Sequence, residues 1–242
     1  MKLNKIKLYL YQLIYSQIKH TKIMTQNMRS PGNGFLGNVA RELMIIFNEF
    51  VYNDSVKRLN IRKNDKVIEI GSGNGQGIEK LLDLTNKKIV SIEVSDSFRT
   101  KLIHKFINQN VNILSNDAKN LSDVVKNNTF DKLLAVNVIY FLHPIKEYAE
   151  EFHRILKFNG LGLLICKFEG IKNFDNKVAP NKNLQDIVKI FEKVGFSVQT
   201  EFIESKDVQK GYHAIYLRKN KNELYHKDTS KKKLYIYSWS EA

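Results

Sequence analysis

Glu69-Ile-Gly-Ser-Gly-Asn-Gly-Gln-Gly77 follows the short apolar run Val67-Ile68 and leads into Ile78 and a stretch of helical spacing. Four glycines within seven residues let a chain turn sharply out of a strand. They also let the backbone approach a bound group without Cβ obstruction. The loop opens a helix, whose first N–H groups are unpaired and carry partial positive charge. A glycine-rich loop is a weak sign by itself and gains weight from having a strand before it and a helix after it.

Working outward, strands and helices alternate. Lys88–Val94, Val111–Leu114, Phe130–Asn137 and Leu161–Lys167 read as strands. Between them lie expected helices at 78–84, 98–107, 118–126 and 144–156, Pro144 suiting a first helical turn. A helix over 184–194 closes at Gly195, and 196–203 and 212–217 read as two last strands able to pair antiparallel. Apolar strands separated by helices of about ten residues imply a mostly parallel sheet covered on both faces. The expected fold is therefore α/β: a Rossmann-like, doubly wound, seven-stranded sheet with extra helices ahead of it. In such sheets ligands bind where strands end, so chemistry is sought at the strand tips.

The tips carry a consistent set. Glu93 ends the second strand 22 residues after Gly71, and its two acceptor oxygens suit a pair of ribose hydroxyls. Asp117-Ala118 follows the third strand; Asp117 also suits the cap of a helix over 118–126. The fourth strand ends Val136-Asn-Val-Ile-Tyr-Phe-Leu-His-Pro144, offering Asn137, Tyr140 and His143. The glycine spacing departs from G-x-G-x-x-G, since Gln76 and Ile78 stand where a third glycine would be. This weakens a dinucleotide reading.

The pattern acid-x-G-x-G-x-G resembles motif I of the class I S-adenosylmethionine (SAM)-dependent methyltransferases. The chain resembles that superfamily over about residues 60–217. In such enzymes the loop wraps the methionine part of SAM, the second-strand acid takes the ribose, and the acid after the third strand takes the adenine amine. The resemblance implies cofactor-binding roles for Glu69, Gly71, Ser72, Gly73, Gly75, Glu93, Asp117, Ala118 and Asn137. Tyr140 and His143 are candidates for orienting an acceptor or taking its proton. The stretch 136–144 lacks the N-P-P-Y signature of amide or adenine-amine methylation. Phe152–Ile165 resembles the helix-turn-strand signature before the fifth strand, with Asn159-Gly160 expected to make the turn. Arg29–Asn38 and Asn137–Phe141 resemble small stand-alone methyltransferases of the type 11 group. That places a small molecule first among acceptors, with protein and RNA open behind it.

Composition bounds the rest. The chain has 242 residues, 43% of them hydrophobic and 26% charged, which suits one sizeable α/β unit. Expected divisions are a basic extension over 1–30, a helical lid over 31–60 with the 168–182 loop as a second lid candidate, the SAM-binding domain over 61–218 and a basic tail over 219–242. The net charge of +14 suggests nucleic acid. However, +8 of it lies in residues 1–66 and +4 in 218–242, leaving +2 over the part with the motifs. The run Lys231-Lys232-Lys233 reads first as a solvated tail. A single cysteine, Cys166, excludes an intrachain disulfide and reads as a small core residue, and the six histidines lack metal-ligand spacing, so no metal is expected. No apolar run approaches a membrane span. These features point to a cytoplasmic protein. The acid-free basic start before Glu42 keeps a mitochondrial presequence open. Two rivals stand beside the methyltransferase reading: an NAD(P)-dependent oxidoreductase, and a non-catalytic SAM-fold module acting through its basic ends.

Overall fold

Val67–Ile70 forms β1, a strand whose four residues are all buried. Its neighbours are β2 (Ile89–Ile92) on one side and β4 (Phe130–Val136) on the other, both parallel to it. The computed structural model describes residues 5–204 and 211–220. Around β1 the sheet adds β3 (Val111–Leu114), β5 (Leu156–Cys166), β6 (Phe196–Ile203) and β7 (Tyr212–Lys219) in the order β3-β2-β1-β4-β5-β7-β6. β7 runs antiparallel to both β5 and β6. The doubly wound sheet with an antiparallel C-terminal strand is thus as expected.

The helices are α1 (Lys5–Ile18), α2 (Lys22–Arg29), α3 (Phe35–Leu59), α4 (Gln76–Leu82), α5 (Asp96–Lys105), α6 (Ile145–Ile155), α7 (Phe168–Ile171) and α8 (Leu184–Val194). Side chains alternate across the strands as the pleat requires. Ile68, Leu133, Leu164 and Cys166 face a core with α6 and α8. Val67, Leu134, Val136, Leu163 and Ile165 face a second core with Val51, Tyr52 and Leu59 of α3. Cys166 is fully buried, in keeping with a packing role. α3 is also tied to the antiparallel edge, where Tyr212 Oη donates to Asp54 (2.5 Å) and Arg58 pairs with Glu201 (2.6 Å). None of the described helices is long and apolar enough to cross a membrane.

Two local expectations are corrected. Residues 118–126 form turns rather than a helix. Leu121 and Val125 do face the core, but Val124 is left half exposed. Asn120, Ser122 and Asp123 are residues whose side chains compete with a helical backbone. The Leu121 N–H is satisfied by Glu151 Oε1 (2.8 Å) instead of by a helical carbonyl. The second correction concerns Asn159-Gly160. It does not separate α6 from β5, because β5 begins at Leu156 directly after the helix. Asn159 adopts φ 62° inside the strand, where the register slips opposite Phe130 and Lys132. Residues 157–160 leave the ladder opposite Asp131, so the Asn-Gly turn falls inside β5 and not ahead of it. The basic stretch 221–242, with Lys231-Lys232-Lys233, lies outside the described residues.

Candidate functional site

A cavity of about 250 Å3 opens at the carboxyl ends of β1, β2, β4 and β5. One half is built by the glycine loop and the β2 and β3 tips, from Gly71, Gly73, Glu93, Phe98, Asp117 and Ala118. The other lies over the β4 and β5 tips, where Asn137, Tyr140, Phe141 and Lys167 meet Met44, Phe47 and Asn48 of α3.

The loop shows why glycine is needed. Gly71 and Gly75 hold φ 71° and 79°, in the left-handed region. A Cβ on Gly71 would sit 2.7 Å from Val138, and one on Gly75 2.7 Å from Phe106, so both also permit close packing. At Gly73 a Cβ would meet nothing nearer than 4.0 Å, leaving its face of the loop open to the cavity. The loop is held from below by Glu93. Glu93 Oε2 accepts from Gly73 N–H and Oε1 from Ser95 N–H, each at 2.8 Å. Burial pushes the Glu93 carboxyl above its ordinary pKa, the two amides pulling the other way.

The remaining candidates separate. Glu69, Ser72 and Gly75 lie under the loop and do not line the cavity. Ser72 Oγ accepts from Ser91 Oγ–H (2.8 Å) inside the sheet. Glu69 is fully buried beside Ser72, and burial raises its pKa to about 8, the Ser72 hydroxyl opposing this and the Glu93 charge adding to it. Asp117 and Ala118 line the cavity, and Asp117 Oδ1 accepts from Lys119 N–H (3.3 Å) in a turn rather than capping a helix. Asn137, at φ 56°, donates through Nδ2 to Asn48 Oδ1 (2.9 Å). Tyr140 Oη donates to Asn137 Oδ1 (2.7 Å) and accepts from the Lys167 main-chain N–H. Burial raises the Tyr140 hydroxyl well above its usual pKa, which disfavours ionisation there. His143 is exposed and lies outside the cavity, so it is not brought together with the others.

Sequence reasoning missed Asn48 and Lys167. Lys167 could have been found by following the strand-tip rule to β5, where a lone basic residue ends an apolar run. Asn48 carried no local signal, because its position depends on how α3 crosses the sheet. The cover over the cavity reaches beyond the expected 31–60 into α1 and α2, and it includes the expected second candidate, the 168–182 loop. Tyr15 of α1 and Met28 of α2 line it, as do Gly170, Ile171 and Phe174 from the segment after β5. Met24 on α2 is fully buried against Val39, Ala40 and Leu43 of α3. The cover is fastened to the glycine-loop half by side chains. Asn74 Nδ2 donates to Arg41 O (3.3 Å) and Gln76 Nε2 to Ile45 O (3.0 Å). Ser30 Oγ–H donates to Ser95 Oγ (2.9 Å) and Arg41 Nη1 to Ser97 Oγ (3.1 Å).

Comparison with known proteins agrees with this geometry. The family model of the ribosomal RNA adenine dimethylases matches residues 42–137. A SAM-dependent methyltransferase from Aquifex aeolicus superposes with a TM-score of 0.57 at 18% identity, over 81% of this chain and 97% of that one. Another, from Thermotoga maritima, superposes with a TM-score of 0.60 at 21% identity, over 76% and 96%. The [4+2]-cyclase SpnF superposes with a TM-score of 0.59 at 13% identity, over 71% and 81%. At these identities the likeness speaks for the fold. No curated protein matches in sequence. The cavity fits SAM: Gly73 leaves room against the main chain, and two carboxylates, Glu93 and Asp117, stand at separate strand tips.

Proposed function

We propose that this chain, a class I SAM-dependent methyltransferase, transfers the methyl group to a small, largely apolar acceptor held over the tips of β4 and β5. One observation carries the reading: that half of the cavity is walled by the chain's own Tyr15, Met28, Met44, Phe47, Phe141 and Phe174. Apolar walls with a few convergent polar groups characterise small-molecule sites.

SAM, when bound, supplies a methyl group made electrophilic by a positively charged sulfur. In this reading Glu93 accepts from the ribose hydroxyls while keeping Gly73 in place. Asp117 accepts from the adenine amine, with the Ala118 N–H beside it. Gly71 and Gly73 let the main chain follow the methionine portion. Asn137, fixed by Asn48 and Tyr140, sets the boundary between cofactor and acceptor. Met28, Met44 and Phe47 exclude water. Such positioning can remove roughly 7–11 kcal/mol from a bimolecular barrier.

A second reading has its own support. The adenine-dimethylase match over 42–137 favours the exocyclic amine of an RNA adenine. Against it, Tyr140 is only 1% exposed and both its hydroxyl and Asn137 Oδ1 are engaged internally. Incubating the protein with methyl-labelled SAM and cell extract, then separating small molecules, protein and RNA, tests the choice. Label among small molecules is expected. Label that is released only by ribonuclease, as methylated adenosine, would replace the first reading with the second.

A further inference from the structure

Lys167 is the first residue beyond β5, and its side chain lines the acceptor half of the cavity. Its Nζ donates to the main-chain carbonyl of Phe47 and to Asn48 Oδ1 (3.2 Å). An ammonium has three donors, so these two uncharged oxygens leave one unspent. Among the described residues no carboxylate forms an ion pair with it. The acceptor half of the cavity it lines is otherwise largely apolar, with Tyr15, Phe47, Phe141, Ile171 and Phe174. A cation among apolar groups with no counter-ion is an expensive arrangement that an incoming anion relieves. Burial accordingly lowers the ammonium pKa to about 8, which still leaves it mostly charged at neutral pH. The position is also rigid. Asn48 Oδ1 is shared between Lys167 and Asn137, and Tyr140 bridges Asn137 Oδ1 to the Lys167 N–H.

We propose that Lys167 holds the ionised oxygen of the acceptor, so that the substrate class is a small aromatic or enolic compound with an acidic hydroxyl, methylated on that oxygen. The inference rests on the small-acceptor reading above. On binding, the hydroxyl gives its proton to solvent and its oxygen docks against the spare N–H of Lys167. A lone pair on that oxygen forms the new O–C bond as the S–C bond breaks and its electron pair passes to sulfur. The products are a neutral ether and a neutral thioether, and Lys167 keeps its three protons throughout.

The other source of an anionic oxygen is the methionine carboxylate of the cofactor, and the test separates the two. The full chain is saturated with S-adenosylhomocysteine (SAH) and titrated with 4-nitrophenol or its neutral relative nitrobenzene, at a pH where free nitrophenol is mostly un-ionised. The wild type is expected to bind nitrophenol with the absorption band of the phenolate and about 10- to 100-fold more tightly than nitrobenzene, the scale of a hydrogen bond to a charged group. Lys167→Met is expected to lose that preference while binding nitrobenzene and SAH as the wild type does, which also reports that it is folded. Equal binding of the two probes by the wild type overturns the oxyanion assignment and leaves the small-acceptor reading standing. An equal loss of SAH affinity in Lys167→Met overturns it in favour of the cofactor carboxylate. If the wild type takes up SAH but neither probe, the small-acceptor reading falls and this inference falls with it.

Discussion

Replacing Glu93 by Gln preserves length and volume but removes the charge and one of two acceptor oxygens. Both oxygens are in use before any ligand arrives, Oε2 on Gly73 N–H and Oε1 on Ser95 N–H at 2.8 Å each, and the residue is 4% exposed. An amide can serve only one of these donors, and its NH2 group must face the other. A hydrogen bond to a charged group contributes about 1.5–3 kcal/mol, and a stranded buried donor costs about 1–3 kcal/mol. These are two views of one lost contact and are not added, so folding stability is expected to fall by about 2 kcal/mol. SAH affinity is expected to fall by about 2–3 kcal/mol, because the ribose loses its acceptor and Gly73 its anchor; this is roughly 30- to 150-fold. Isothermal calorimetry with SAH measures the affinity, and a thermal melt confirms the fold. Because burial raises the Glu93 pKa, the wild-type carboxylate is progressively protonated in mild acid, and the difference between the two proteins should narrow as pH falls. An affinity within twofold of wild type on a folded Glu93→Gln protein would refute the assignment.

Other expectations follow from the same contacts. Tyr140→Phe leaves Asn137 Oδ1 and the Lys167 N–H without their shared partner and should lower stability by about 1–3 kcal/mol and slow turnover, whereas exposed His143→Ala should change neither; melts and rates with an identified acceptor compare the two. Glu69→Gln should stabilise the protein at pH 8 and above but not near pH 4. The wild-type carboxyl titrates at about 8 when folded against about 4.5 when free, so stability is lost as pH rises between those values, by of the order of 5 kcal/mol at most; denaturation at several pH values reads this out. Deleting residues 1–28 removes fully buried Met24, worth about 1.5–3 kcal/mol alone, and uncovers Val39 and Leu43. A lower melting temperature is expected with SAH affinity little changed, since the loop and the β2 and β3 tips remain; calorimetry on the truncated chain checks it.

The sheet was legible because its signals are local. Val67–Ile70 is an apolar run ending in glycines, and Gly195 takes the left-handed cap its sequence implies, at φ 112°. Glu93, Asp117 and Asn137 could be placed at strand tips by counting along strands. The helix expected over 118–126 failed because Glu151, some thirty residues away, supplies the acceptor for Leu121 N–H. Asn159 takes the left-handed conformation its Asn-Gly dipeptide suits, but its place inside β5 depends on the pairing of Leu156 with Phe130 of β4. His143 was chosen for its chemistry alone, and the route of the chain into α6 leaves it exposed. Asn48 and Lys167 are 119 residues apart and meet only through the packing of α3 across the sheet. The reach of α1 and α2 over the cavity was hidden for the same reason: no motif marks Tyr15 or Met28.

The hooks that fasten the roof reach both halves: Asn74, Gln76, Ser95 and Ser97 hold it beside the nucleoside half, and Asn137 and Lys167 hold Asn48 and Phe47 at the far wall. One cover therefore spans both halves, so loading the nucleoside half should stiffen the helices that also shape the acceptor wall. Nucleoside leading and acceptor following is the kinetic order expected if that stiffening is needed to shape the acceptor wall. Deuterium uptake by main-chain amides across 22–45 should slow on adding SAH alone.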